Sequence, residues 1–278
     1  MKALTIGFSP CPNDTYIFNR MVNTVPRSGD PVFEPPRLED VETLNRWAFE
    51  HRLDVTKLSY HAVGHLLEEY CVLPSGGALG YGCGPLLVTG SDVSIDDLAR
   101  KRIAIPGKYT TAALLFRMFL PECTDLVEMR FEQIMAAICN GVVDGGVIIH
   151  ESRFTYQAHG LICLQDLGAW WENTSGMAIP LGCIAARRSL GPRVISDIDR
   201  LIKASLTWAS LNRREGRAYT KQYAQETDEA VVQSHINLYV NDFSYDLGEE
   251  GRCAVETFLS RARDKKILPE SSQPIFCL

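Results

Sequence analysis

A histidine at the end of an apolar run is the residue best placed for chemistry in this sequence. His150 follows the run from Gly145 to Ile149, which is typical of a buried β-strand, and a polar cluster that begins a helix comes next. In open α/β sheets the carboxyl ends of strands line the ligand crevice, and imidazole titrates near neutral pH. We therefore expect His150 to be a general base. By position alone, a structural histidine that caps the next helix is the alternative.

The residues after His150 are candidate cleft residues. Glu151 could orient the imidazole ring, Arg153 could bind a substrate carboxylate, and Tyr156 could form a flat wall for an aromatic ligand. The same residue types also suit the solvated first turns of a helix. Both uses remain open from these residues alone.

A pair of threonines follows the predicted strand from Arg102 to Ile105. Thr110 and Thr111 stand where a helix begins, so their hydroxyls and the free backbone N–H groups there can bind an anion. We expect them to hold a carboxylate. An ordinary helix cap without a ligand is the commoner use of such residues.

A third strand, Asp54 to Leu58, ends in polar residues. Lys57 and Ser59 flank Leu58, so alternation places both polar side chains on one face, where they offer a cation and a hydroxyl to a ligand. The solvated end of a strand would show the same pattern. His61 and His65 have the spacing of a metal pair but no third ligand at suitable spacing, so we expect no metal.

Two segments suggest a pair of similar lobes. Residues 5–15 and 103–111 each contain a strand, a polar loop and the start of a helix. In the first loop we name Ser9, Asn13 and Asp14 as candidate cleft residues. Such units recur in every α/β protein, so the likeness alone leaves one domain or two lobes open.

The elements around these residues predict an α/β protein with a helical C-terminal tail. Short β-branched runs alternate with segments of helical period over the first two-thirds of the chain. From Arg193 onward the strand signals end, and amphipathic helices such as Ile198 to Leu211 and Gly251 to Arg263 follow. This tail must cover a sheet that is built earlier in the chain.

Composition excludes several classes of protein. The chain has 278 residues, 46% of them hydrophobic, and a net charge of −6 without a basic stripe, so we expect no nucleic-acid partner. No segment reaches the roughly 18 uninterrupted apolar residues of a membrane helix. The N-terminus lacks a signal-peptide core, which predicts a cytoplasmic location. The nine cysteines are scattered without a CxxC pair, so neither a zinc site nor a redox motif is expected.

Eight ordered motifs carry a resemblance to a known family. They are SPCPNDTYIF at 9–18, KLSY at 57–60, GGALG at 76–80, PGKYTTA at 106–112, IIHESRFTY at 148–156, DLGAWWE at 166–172, PLGCIAARR at 180–188 and YVNDFSYDLGEEGR at 239–252. Together they span nearly the whole chain, which resembles the 1,4-dihydroxy-6-naphthoate synthase family of menaquinone biosynthesis.

The resemblance implies a two-lobed, periplasmic-binding-protein-like (type II) fold with the substrate between the lobes. Lobe one is expected to comprise residues 1–87 and 187–278, and lobe two residues 88–186. The crossings are expected near Pro85 to Thr89 and Cys183 to Arg188.

The family cleaves cyclic dehypoxanthinyl futalosine to 1,4-dihydroxy-6-naphthoate and dihydroxyacetone, without metal or organic cofactor. The resemblance therefore implies a small-molecule partner, an aromatic carboxylate. It places the proton acceptor on His150 and substrate binding on Lys57 to Ser59, Thr110 and Thr111.

Three alternatives fit the same fold, because fold does not fix function. The first is a non-catalytic solute-binding protein, against which the lack of an export signal counts. The second is the effector-binding half of a transcription regulator. The third is the sister enzyme chorismate dehydratase, which shares the fold but not the HESRFTY segment that begins at His150. The sequence does not indicate an oligomeric state.

Overall fold

A computed structural model describes residues 3–223 and 228–277. Within these residues the strands, in chain order, are β1 (Ile6–Phe8), β2 (Arg37–Leu38), β3 (Val55–Ser59), β4 (Tyr70–Val72), β5 (Ala78–Gly80), β6 (Leu86–Thr89), β7 (Ile103–Ile105), β8 (Leu126–Glu128), β9 (Gly145–Ile148), β10 (Ile162–Asp166) and β11 (Ile179–Arg187).

The helices between and after the strands cover both sheets. They are α1 (Pro12–Asn23), α2 (Val41–Phe49), α3 (Tyr60–His65), α4 (Ile95–Leu98), α5 (Thr111–Phe119), α6 (Phe131–Cys139), α7 (Ser152–Thr155), α8 (Leu167–Ser175), α9 (Gly191–Leu211), α10 (Arg213–Tyr223), α11 (Glu229–Tyr239), α12 (Asp242–Tyr245) and α13 (Gly248–Asp264). Short 3₁₀ helices, Tyr156–His159 and Arg188–Leu190, follow α7 and β11.

The strands form two separate sheets. The first runs β2-β1-β3-β11-β4 with β5 also paired to β11, and the second runs β10-β6-β9-β7-β8. β1 and β3 are parallel, as are β7 and β9, whereas β11 is antiparallel to β3. Each sheet therefore has parallel strands whose carboxyl ends can line a crevice.

The predicted lobe boundaries need correction. β6 lies wholly in the second sheet, so the first crossing is at residues 81–85 rather than at Pro85 to Thr89. The predicted second crossing, Cys183 to Arg188, coincides up to Arg187 with β11, whose residues pair with β3 and β4 in the first sheet. The chain returns instead at residues 167–178, which include α8. The apolar pattern located these strands but carries no information on which sheet each one joins.

The C-terminal tail packs on the first sheet, as the sequence predicts. The apolar face of α9, which includes Ile198, Ile202 and Leu206, lies in one core cluster with Phe8 and Phe18. β11 gives this cluster Ile184 and Ala186, whereas its alternate residues, Cys183 and Ala185, face the larger cluster that reaches α13. Within the tail, α9 thus buries one face of β11 and α13 packs on the other.

The helix that begins near His61 is shorter than its sequence pattern predicts. The sequence pattern suggests one helix from His61 to Tyr70, but α3 ends at His65 and Tyr70 begins β4. Cys71 of β4 forms a disulfide with Cys277, which ties the C-terminal segment to the sheet. Separated by 206 positions in sequence, the two cysteines carry no local signal of pairing.

Candidate functional site

A cleft of about 650 Å³, its open mouth included, lies where the two sheets face each other. The carboxyl ends of β1, β3, β7 and β9 all supply residues to it. Its polar lining consists of Ser9, Asn13, Asp14, Lys57, Ser59, Thr110, Thr111, His150 and His235. Its apolar walls include Val41, Ala78, Pro85, Ala112, Ile149, Leu181 and Tyr239.

Buried charges form one side of the cleft. The Asp14 carboxylate accepts hydrogen bonds from Ser9 Oγ at 2.7 Å and Asn13 Nδ2 at 2.9 Å, and its Oδ1 lies 2.8 Å from Lys57 Nζ. Asp14 is 1% exposed and Lys57 is 5% exposed, so the pair is removed from water. Such a pair persists only where further hydrogen bonds satisfy its atoms.

The Lys57 ammonium is incompletely satisfied within the described residues. Its Nζ contacts Asp14 Oδ1 without forming a hydrogen bond, and none of the described residues supplies another acceptor. A buried N–H donor without an acceptor costs free energy until a ligand supplies one. Lys57 is therefore ready to bind an anionic or carbonyl oxygen in the cleft.

Of the two residues that follow Lys57, Leu58 lies in the core and Ser59 lines the cleft. Ser59 lines the cleft, its Oγ accepts from Asn45 Nδ2 at 3.1 Å, and its N–H donates to Asn45 Oδ1 at 3.0 Å. Leu58 is fully buried in the core, because strand alternation turns it away from the face that carries Lys57. Only the backbone of Leu58 is close to the site.

The two threonines stand at the N-terminus of α5, as predicted, but their hydroxyl protons are already used. Thr110 Oγ1 donates to the Gly107 carbonyl at 2.8 Å and caps the helix by accepting from Ala113 N. Thr111 Oγ1 donates to the Leu181 carbonyl at 2.6 Å. Anion binding here therefore rests on the backbone N–H groups of the first helical turn.

His150 projects from a strained turn directly after β9. Its φ of 55° lies in the left-handed region, which is uncommon for residues other than glycine and recurs at functional sites. The ring packs edge-on against Phe131 at 4.9 Å, and its Nδ1 lies 3.7 Å from Cys11 Sγ. Burial lowers the pKa of His150 from its usual value, so the imidazole is neutral at physiological pH. It is therefore a free base at the cleft.

The thiol beside His150 is not an activated nucleophile. Burial and the charge of Glu151 raise the pKa of Cys11 well above its usual value. The thiolate is the nucleophilic form of cysteine, and this environment suppresses it.

The helical tail contributes two cleft residues that the sequence did not reveal. His235 and Tyr239 lie one turn apart on α11 and both line the cleft. The sequence pattern of the tail indicates only a buried apolar stripe. The one signal in the sequence is that a histidine, His235, lies within this stripe, and the structure buries it fully.

The remaining candidates lie beside the cleft rather than in its lining. Glu151 borders a smaller adjoining pocket and places Oε1 3.6 Å from His235 Nδ1. Arg153 binds the Asp166 carboxylate at 2.8 Å and the Gly84 carbonyl, so it holds the interlobe crossings. Tyr156 packs against the apolar cluster of the second lobe.

The described residues contain no group of three or more His, Cys, Asp or Glu side chains arranged to hold a metal ion. His61 and His65 lie with ring centroids 5.4 Å apart. Burial lowers the pKa of His61 to about 3, and its Nδ1 lies 3.2 Å from the Thr110 carbonyl. Residues 3–223 and 228–277 contain no helix that is long and apolar enough to cross a membrane.

Solved structures share this architecture. A protein of Archaeoglobus fulgidus superposes with a TM-score of 0.88 at 34% identity, covering 96% of this chain and 98% of the other. A ligand-binding component of an ABC-type import system from Staphylococcus aureus gives 0.68 at 11% identity, covering 99% and 96%. The periplasmic aliphatic sulphonate binding protein of Escherichia coli gives 0.64 at 11%, covering 97% and 89%. The fold is therefore periplasmic-binding-protein-like, as the resemblance implied.

Curated relatives match from end to end. A Thermus thermophilus protein named 1,4-dihydroxy-6-naphthoate synthase is 45% identical over 276 residues, which are 99% of this chain and 100% of the relative. A Streptomyces coelicolor protein of the same name is 42% identical, covering 96% and 95%. The model of the family described as "Menaquinone biosynthesis" matches residues 4–264. The chain belongs to this menaquinone biosynthesis family.

Proposed function

We propose that this chain is a 1,4-dihydroxy-6-naphthoate synthase. It is a carbon–carbon lyase that converts cyclic dehypoxanthinyl futalosine to 1,4-dihydroxy-6-naphthoate and dihydroxyacetone, on the futalosine route to menaquinone. The observation that carries the proposal is the free imidazole of His150, which shares an apolar-walled cleft with a buried ammonium. A biosynthetic role of this kind places the protein in the cytoplasm.

His150 is the proposed base. It is neutral at physiological pH, and neighbouring aromatic and thiol groups hold its ring without protonating it. Proton removal by His150 starts a retro-aldol-like cleavage, and aromatisation of the naphthoate ring drives the reaction forward. We expect this step to need no metal or organic cofactor.

Lys57 and the N-terminus of α5 are the proposed sites for the negative charges of the substrate. Among the described residues the ammonium has no hydrogen-bond acceptor, and the first turn of α5, Thr111 and Ala112, lines the same cleft. One of these two sites can bind the substrate carboxylate. The other can stabilise an oxygen that gains negative charge during cleavage. The apolar walls fit the flat ring system between them.

Contacts between the lobes keep this cleft closed. Thr111 Oγ1 accepts from Tyr60 N at 3.1 Å and donates to the Leu181 carbonyl, which joins α5 of the second lobe to α3 and β11 of the first. Closure excludes water, which strengthens the polar interactions inside.

The test is turnover by the purified protein. Incubation with cyclic dehypoxanthinyl futalosine should yield 1,4-dihydroxy-6-naphthoate and dihydroxyacetone in equal amounts by mass spectrometry, whereas chorismate should remain unchanged. Saturable binding of the cyclic substrate without product would favour the non-catalytic alternative. Consumption of chorismate would favour the sister enzyme.

A further inference from the structure

The C-terminal tail places a second histidine beside His150. His235 of α11 is fully buried, and its ring lies nearly parallel to that of His150, with centroids 5.9 Å apart. No motif of the sequence pointed to it, and the role proposed for His150 does not use it. Both ring nitrogens of a buried imidazole are expected to have hydrogen-bond partners.

Hydrogen bonds fix the tautomer of His235. Asn13 Nδ2 donates to Asp14 Oδ1, so the amide oxygen of Asn13 faces His235 Nε2, at 3.0 Å. An amide oxygen can only accept, so Nε2 carries the proton. Burial, the proximity of His150 and the charge of Lys57 lower the pKa of His235 well below its usual value, which keeps the ring neutral. Nδ1 is consequently a bare acceptor.

This Nδ1 has no hydrogen-bond partner among the described residues. The nearest charged group is Glu151, whose Oε1 lies 3.6 Å away. A carboxylate oxygen and an imidazole lone pair are both acceptors, so they do not satisfy each other. Together they form a pair of acceptors, and the described residues supply no donor between them.

We propose that His235 is a substrate-binding residue whose Nδ1 accepts a hydrogen bond from a hydroxyl group of the substrate. The inference rests on the proposed function, in which the fragment that leaves is a hydroxylated ketone. A hydroxyl held by Nδ1 and the Glu151 carboxylate would lie beside the ring of His150. The chain Lys57–Asp14–Asn13–His235 thereby links the two ends of the site.

A glutamine at position 235 separates the two nitrogens. In His235→Gln the side-chain amide can still donate to Asn13, but the Nδ1 acceptor is lost. We expect a normal thermal melt and a value of kcat/KM lowered about tenfold, the scale of one substrate hydrogen bond. His65→Gln, a partly buried histidine outside the cleft lining, is the matched control and should retain wild-type kinetics.

Nitrogen NMR supplies a readout that a purely structural role would not change. In ¹⁵N-histidine-labelled protein, the His235 Nδ1 resonance should be that of an unprotonated nitrogen. It should move on saturation with the cyclic substrate in the His150→Asn background, which leaves the substrate uncleaved. This measurement also decides the matter if His235→Gln does not fold.

Three results contradict the inference. A protonated Nδ1 in the free protein, an Nδ1 resonance that ignores bound substrate, or a folded His235→Gln variant with wild-type kcat/KM would each overturn it. In all three cases normal wild-type turnover leaves the proposed function standing. Absence of naphthoate from the wild type overturns the proposed function itself.

Discussion

Glu42 joins the two lobes, and its protonation should set how stability depends on pH. It lies on α2 of the first lobe and accepts the backbone N–H of Tyr109, in the second lobe, at 3.0 Å. Arg46 Nε lies 3.1 Å from its other oxygen. Burial raises the pKa of Glu42 from 4.5 to about 7 in the folded protein, although Asn45, Tyr109 and Arg46 oppose the rise.

The sign and size of the effect follow from linkage. The folded state binds this proton more tightly than the unfolded state, so the contribution of Glu42 is fully present below pH 4.5. It is lost as the pH rises through about 7. At about 1.36 kcal/mol per pH unit, the interval corresponds to roughly 3 kcal/mol of unfolding free energy.

The assay is urea denaturation of the wild type and Glu42→Gln between pH 5 and pH 8. Wild-type stability relative to the variant should fall by about 2.5 kcal/mol over this range, because Gln does not titrate. Other groups, such as His61, titrate in both proteins and cancel in the comparison. Glu50→Gln, at the exposed end of the same helix, is the matched control. Parallel pH profiles for wild type and Glu42→Gln would refute the reasoning.

Three further predictions test other parts of the site. Lys57→Met should lower the unfolding free energy by about 3 kcal/mol, because it leaves the buried Asp14 carboxylate without its ion-pair partner. Adding Asp14→Asn to this variant should restore part of the loss. Equal denaturation midpoints for Lys57→Met and the wild type would contradict this prediction. Thr111→Val should lower the unfolding free energy by about 2 kcal/mol, because it leaves Tyr60 N and the Leu181 carbonyl unpaired. It should also raise KM, because the contact between the lobes weakens. Unchanged melting and KM would count against the interlobe role. Treatment with a chelator should leave turnover unchanged, and activity restored by one specific metal would show that a metal site exists.

The sequence predicted elements whose signals are local. The apolar run that leads to His150 and the start of α5 at Thr111 both follow from periodicity and capping residues, and the structure places them as expected. Lys57 and Ser59 meet at the cleft because strand alternation is a geometric property of the chain.

Features that depend on distant parts of the chain were not predictable. β11 joins the first sheet because it pairs with β3, and no pattern within residues 179–187 encodes that partner. His235 reaches the cleft because α11 packs beside α1, more than 200 residues earlier. The hydroxyl proton of Thr111 proved to be committed for the same reason, since Leu181, which accepts it, lies in β11.

The most direct test of the central claim is turnover of cyclic dehypoxanthinyl futalosine by His150→Asn. Asparagine tolerates the left-handed backbone of this position and keeps a hydrogen-bonding group, but it cannot accept a proton at neutral pH. His159→Asn, an exposed histidine nine residues later, is the matched control and should behave as the wild type. We predict that His150→Asn binds the substrate and melts normally but forms naphthoate at least 10² to 10⁴ times more slowly, the usual contribution of a general base. A folded variant that turns over within a few-fold of the wild type would contradict the account.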